Sequence, residues 1–163
     1  MTITGEIVAS YRRPAAAVGR MLAGPRREDR ALVMVMAACA VIFVSQWPVA
    51  ARAAHLAPAI PLEARLAGML LATVFLLPLL AYALAGASHA VLRLFGGRGS
   101  HYGARIALFW ALLAVSPLML LKGLVAGLIG PGAALTATGA TIFAAFMWIW
   151  GAGLHAAEFG AVK

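Results

Sequence analysis

The sequence has 163 residues, of which 64% are hydrophobic and 11% charged, with a mean hydropathy of +0.95. Soluble globular domains carry roughly 25% charged residues, so an ordinary water-soluble enzyme is excluded. Thirteen Lys and Arg against five Asp and Glu give a net charge of +8, which in so apolar a chain reads as membrane topology and attraction to anionic lipid, with no nucleic-acid partner.

Residues 1–30 are too polar to enter the bilayer, yet they place Ile3, Ile7 and Tyr11, then Val18, Met21 and Leu22, at helical spacing on either side of Pro14. With Arg12, Arg13 and Arg20 beside them, this pattern predicts a basic amphipathic helix lying on an anionic inner leaflet. The segment has no continuous apolar core of the kind a cleavable signal needs, so the first span is expected to be its own insertion signal.

Four spans follow, at about 31–50, 66–92, 104–129 and 134–155, each long enough to cross roughly 30 Å of hydrocarbon. Glu28 and Asp29 precede the first, where acidic groups suit a helix N-terminus. Arg52 to Arg65, with Pro58 and Pro61, reads as a short turn. Pro78 and Pro117 fall inside the second and third spans and predict kinks, since proline removes one intrahelical hydrogen bond. Phe95 to Ser100 stops the second helix, and Gly130-Pro131-Gly132 turns the chain into the fourth. Residues 157–163 form a short polar tail containing Glu158 and Lys163. The fold class is therefore an all-α polytopic bundle of four spans with an N-terminal interfacial helix.

Basic residues set the orientation. The N-terminal arginines, Arg93, Arg98, Arg105 and Lys163 share one side, against Arg52, Arg65 and Lys122 on the other, so both termini are expected in the cytoplasm. Lys122 reads as a lysine snorkelling to the outer interface.

Chemistry is sparsely signalled. The acidic residues Glu6, Glu28, Asp29, Glu63 and Glu158 all fall outside the expected hydrocarbon, which predicts no proton relay on buried carboxylates. Cys39 is the only cysteine and allows neither an internal disulfide nor a cysteine-based zinc site. Gly86-x-Ser88 is similar to the serine motif of rhomboid intramembrane proteases, but it falls near the end of a long span. His89 and His155, on different helices near the inner boundary, could hold a haem or pigment, or could simply bond a hydroxyl or water. His55 and His101 read as loop residues. Gly123 and Gly127, and the pairs Ala81/Ala85 and Ala140/Ala144, mark close helix packing, within the bundle or between subunits. Gly96 to Ser100 can form a backbone concavity for an anion, with Arg98 at headgroup level. No catalytic residue, cofactor or metal site is expected. Arg12, Arg13, Arg20 and Arg98 are the candidate lipid or partner contacts.

The run Leu92-Arg93-Leu94-Phe95-Gly96-Gly97-Arg98-Gly99-Ser100 follows an alanine-rich span with His89 and precedes a span with Ser116-Pro117. Together with Pro14 and the entry Arg26-Arg27-Glu28-Asp29-Arg30, it resembles the Yip family of Ypt-interacting proteins, over residues 12–156. The resemblance implies an all-helical multi-span membrane protein with a cytoplasmic N-terminus. Eukaryotic members are associated with Rab-type GTPases and vesicle traffic; bacterial members largely lack an assigned activity. Family members commonly have five spans where this sequence has four. The Arg- and Ala-rich composition suggests a GC-rich bacterium, so no Rab partner is carried over. The expectation is a non-enzymatic protein of a bacterial inner membrane that binds anionic lipid, other membrane proteins or itself. The alternative is an accessory subunit of a larger bioenergetic or transport complex.

Overall fold

Long apolar runs bounded by arginines and by Gly-Pro turns become long helices, because inside a bilayer the backbone must satisfy its own hydrogen bonds. The computed structural model describes residues 3–160, and among these there are helices and no strands. They are α1 (Ile3–Arg12), α2 (Pro14–Leu22), α3 (Glu28–Leu56), α4 (Leu62–Leu94), α5 (His101–Leu128) and α6 (Ala133–Phe159). Helices α3 to α6 are each long and apolar enough to cross a membrane, so the chain has the fold class of a four-span helical membrane protein. Lys163 lies outside the described residues.

The helices run past the spans expected from composition, and side chains explain why. α3 continues through Pro48 and Arg52 to Leu56. Arg52 is not a loop residue: its guanidinium donates to the carbonyls of Gly127 (3.3 Å) and Leu128 (3.4 Å), which have no helical partner at the end of α5. Gly130, at φ +90°, passes close to that guanidinium. Arg65 closes α3 in the same way, donating to Ala57 (3.0 Å) and Ile60 (3.1 Å).

The two prolines are absorbed differently. Ahead of Pro78, α4 contains one wide turn, Ala72–Leu76, in which Leu77 N–H reaches back to the Ala72 carbonyl. Such a π-turn makes room for a proline ring. The side chain of Thr73 in this turn accepts a hydrogen bond from Gln46 on α3 (2.9 Å). At Pro117, α5 runs on unbroken. The carbonyl of Leu113, which a residue with an N–H at 117 would have bonded, instead accepts from the Ser116 hydroxyl at 2.9 Å.

Helix α5 is the axis of the fold, touching α3 along much of its length and also α6, α4 and the N-terminal helices. Its first half is buried nearly all round, from Tyr102 to Ala111 with only Arg105 reaching out. Gly123 and Gly127 face α3: a Cβ at Gly123 would overlap the Ser45 carbonyl, and one at Gly127 would overlap Pro48. The GxxxG pair thus joins helices within one chain. Ala81 and Ala85 of α4 are likewise buried, whereas Ala140 and Ala144 face outward.

The N-terminal amphipathic segment forms two helices, and its apolar face is turned onto the bundle. Ala17, Val18 and Met21 are buried, with Val18 against Gly153 and Ala107. Trp110 Nε1 donates to Ser10 Oγ (2.8 Å) and the Tyr11 hydroxyl donates to the Ala114 carbonyl (2.7 Å). Burial pushes the Tyr11 phenol above the ordinary tyrosine range, which keeps its proton in place for that bond. Arg20 pairs with Glu6 at 2.6 Å, so α1 and α2 fold back on each other around Arg13. Trp110 and Ala114 lie further into α5 than Arg105 by about 8 and 14 Å at 1.5 Å per residue. The hairpin is therefore a wedge seated beside α5 and α6.

Two predictions follow from this packing. Gly123→Ala should destabilise the bundle by about 3 kcal/mol, the upper end of the overpacking range, while Gly86→Ala, with open space around it, should be neutral or slightly stabilising. Unfolding in a denaturing-detergent titration checks this, and equal stability of the two variants would refute the close α3–α5 approach. Tyr11→Phe should cost about 1 kcal/mol and speed hydrogen exchange of α1 and α2 with little change in α3–α6. Unchanged exchange in α1 and α2 would mean that the phenol does not hold the wedge.

Candidate functional site

The end of the molecule that carries the α4–α5 loop gathers the residues with the most chemistry. Helix α4 stops at Gly96, whose φ of +86° is a left-handed conformation suited to glycine. Gly97 N–H then reaches the Leu92 carbonyl (2.9 Å) and Gly96 N–H the Arg93 carbonyl (3.2 Å), the Schellman pattern of a helix end. Ser100 caps α5 by accepting from Gly103 N–H at 3.1 Å.

The loop between these two caps folds onto Glu158. This residue belongs to α6, is 2% exposed, and does not lie in a polar tail as the sequence suggested. One carboxylate oxygen is 2.5 Å from His89 Nδ1, and the other accepts from Gly99 N–H at 3.1 Å. Arg98 N–H adds a bond to the Glu158 backbone carbonyl (2.9 Å). Gly97 and Gly99 are needed here, since a Cβ at either would crowd the Glu158 carboxylate at 3.0 and 2.7 Å. The Gly99 amide of the glycine loop is thus turned to a carboxyl group of the protein itself. The expectation that Glu158 stands in a polar tail is overturned: packing against the loop supplies hydrogen bonds that replace water around its carboxyl group.

His89 is 1% exposed, and the His101 ring stands over it at 4.1 Å between centroids, tilted by 54°. His101 begins α5 and is not an isolated loop residue. His155 is exposed and lies against Phe159, so the two histidines considered together in the sequence have different partners. The Ser88 hydroxyl is bonded back to the Leu84 (2.6 Å) and Ala85 (3.1 Å) carbonyls of its own helix. Among the described residues no group of three His, Cys, Asp or Glu side chains is placed to hold a metal ion.

Sequence reasoning missed Glu158, although a signal for it existed. The buried stripe of α6, Ile142, Ile149, Gly153, Leu154 and Ala157, passes through position 158 at helical spacing. Extending it by one residue places the carboxylate inward. His89 as its partner is set by the approach of α4 and α6 around the loop and has no sequence signal.

The charges of this end and of the N-terminal helices are lopsided. Glu6 pairs with Arg20 (2.6 Å), Asp29 with Arg27 (2.6 Å), Glu28 with Arg105 (2.8 Å), and Glu158 with His89. Arg12, Arg13, Arg26, Arg30, Arg93 and Arg98 are exposed and have no carboxylate partner among the described residues. Of the arginines singled out from the sequence, Arg20 is thus engaged, whereas Arg12, Arg13 and Arg98 are free. Between Arg93 and Arg98 stand Leu94 and Phe95, 85% and 75% exposed. Compared with protein-family models, with curated proteins and with solved structures, the chain gives no match in any of the three.

Glu158→Ala leaves a buried imidazole and the Gly99 amide without their partner. It should cost about 3–5 kcal/mol, as for other broken buried pairs, and should speed hydrogen exchange at Gly99. Slow exchange at this amide in the variant would show that the carboxylate does not fasten the loop.

Proposed function

We propose that this chain is a non-enzymatic, Yip-like protein of a bacterial inner membrane that binds anionic lipid at the end bearing the α4–α5 loop and both described termini. That end faces the cytoplasm in this reading, in keeping with the excess of basic residues on it. The observation that carries the reading is the charge inventory of that end: each acidic side chain there is engaged internally, and Arg26, Arg30, Arg93 and Arg98 are left over. Leu94 and Phe95, between Arg93 and Arg98, add an apolar tip of the kind that enters the headgroup region beside basic side chains. Arg12 and Arg13 flank the turn of the α1–α2 hairpin, next to Tyr11 and further along the bundle, and do not belong to that surface.

The alternative, an accessory subunit, needs a small-residue face free for another protein. Gly123/Gly127 and Ala81/Ala85 are used inside the chain, and only Ala140/Ala144 of the sequence-derived pairs faces outward. A stoichiometric partner co-purifying in mild detergent would promote that reading.

Each basic side chain near an anionic surface contributes about 1 kcal/mol. Replacing Arg26, Arg30, Arg93 and Arg98 by Gln should therefore lower the preference for phosphatidylglycerol over phosphatidylcholine at least ~10-fold. Native mass spectrometry of the lipids retained from mixed micelles reads this directly. An unaltered lipid ratio in the folded variant would remove the proposal.

A further inference from the structure

At the end of the bundle opposite to the loop, α3 and α6 both lean on α5 without packing extensively on each other. Nearer the loop, the α1–α2 wedge stands beside α6 and α5, separated from α3 by a groove of about 310 Å³ lined by Glu6, Met21, Arg30, Val33, Met34 and Trp110 among others. Beyond the wedge nothing in the described chain fills the crevice. It holds two adjoining grooves of about 410 and 400 Å³, and Met119 and Lys122 of α5 line both.

The two grooves differ in chemistry. The first reaches α3 at Ser45 and Gln46, whose donors are engaged by the Ile42 carbonyl and Thr73, and leaves Lys122 as its free donor among the described residues. The second, between α5 and α6, is walled by Leu112, Ile142, Phe143 and Phe146 and runs from Lys122 toward the middle of the bundle. Phe146 stacks on Trp150 at 5.5 Å just beyond its inner end. The lysine stem leans toward α6: its Cε is 3.8 Å from where a Cβ at Gly139 would sit.

Lys122 is half-buried and makes no hydrogen bond or ion pair among the described residues. A cation at membrane depth is costly without a counter-charge. The candidate anions of the chain are elsewhere: Glu6, Glu28, Asp29 and Glu158 are paired at the other end, and Glu63 stands exposed at the start of α4. Among the described residues none supplies a counter-charge to Lys122. The carrier of one must also suit an apolar channel directly beside the charge, in a site of the size and mixed character typical of ligand pockets.

We infer that the α3–α5–α6 crevice binds one phospholipid with a net-negative headgroup, its anionic head on Lys122 and one acyl chain in the apolar α5–α6 groove. This site is independent of the arginine-rich surface, since it lies at the opposite end of the bundle and shares no residue with it. Snorkelling alone would give the lysine water, but it would leave the adjoining apolar groove without an occupant of matching length. An anionic amphiphile fits both features with one molecule.

The sequence offers a direct readout, because Lys122 and Lys163 are its only lysines. Acylation of the wild-type protein with an amine-reactive reagent, in micelles doped with phosphatidylglycerol or phosphatidylcholine, is followed by mass spectrometry at each lysine. Lys122 should react several-fold more slowly with phosphatidylglycerol present than with phosphatidylcholine, after normalisation to Lys163. In the same micelles Lys122→Gln should lose one retained phosphatidylglycerol, Lys122→Arg should keep it, and Gly139→Leu should lose it by filling the tail groove. Equal acylation rates in the two lipids, or undiminished lipid retention by Lys122→Gln, would overturn the inference. Neutralising the loop-end arginines should leave the protection of Lys122 intact. The two lipid sites can therefore fail separately.

Discussion

Gly123 brings the backbone of α5 against the Ser45 carbonyl of α3, and Gly127 does the same at Pro48 one turn further on. Between helices in lipid no hydrophobic driving force is available, so close backbone approach is what holds a pair together. The rest of the bundle is referred to this contact. It sets α5 as the axis, lets Arg52 reach the last carbonyls of α5, and places Gln46 where it can bond Thr73 in the wide turn of α4. The remaining partners, α6 and the α1–α2 wedge, then pack onto the faces of α5 that α3 leaves free.

The two ends of the bundle handle charge in opposite ways. At the loop end, carboxylates are matched one by one with Arg or His, and a surplus of arginine stays exposed beside Leu94 and Phe95. At the other end the half-buried Lys122 lines two adjoining grooves. Both arrangements call for an anion from outside, but of different form. The exposed arginines suit a diffuse anionic surface, which salt would screen. Lys122, set in a crevice with an apolar channel, suits one molecule held in one place.

Glu158 shows how far composition can mislead at a helix end. In the last turn of α6, one residue from its end, it looks like a solvated carboxylate. The glycine loop then removes its water and replaces it with the Gly99 amide and His89. Nothing in the local sequence around 158 encodes that loop, which is contributed from a distant part of the chain. The glycines at 97 and 99 are legible as a turn, but their second role, making room for a carboxylate, appears only when α4, α5 and α6 are assembled.

The sequence by itself determined the spans, their number and the basic bias of one end, because hydrocarbon length and the exclusion of charge act on each segment separately. It also marked Gly123 and Gly127 as a packing pair and Pro78 and Pro117 as points where a hydrogen bond is missing. Only the tertiary structure decided how those gaps are filled, by a π-turn in one case and by the Ser116 hydroxyl in the other. It alone turned the amphipathic N-terminus into a wedge, buried Glu158 against His89, and isolated Lys122 in a crevice. These outcomes depend on which side chains from distant segments meet at one depth, and no single segment carries that information.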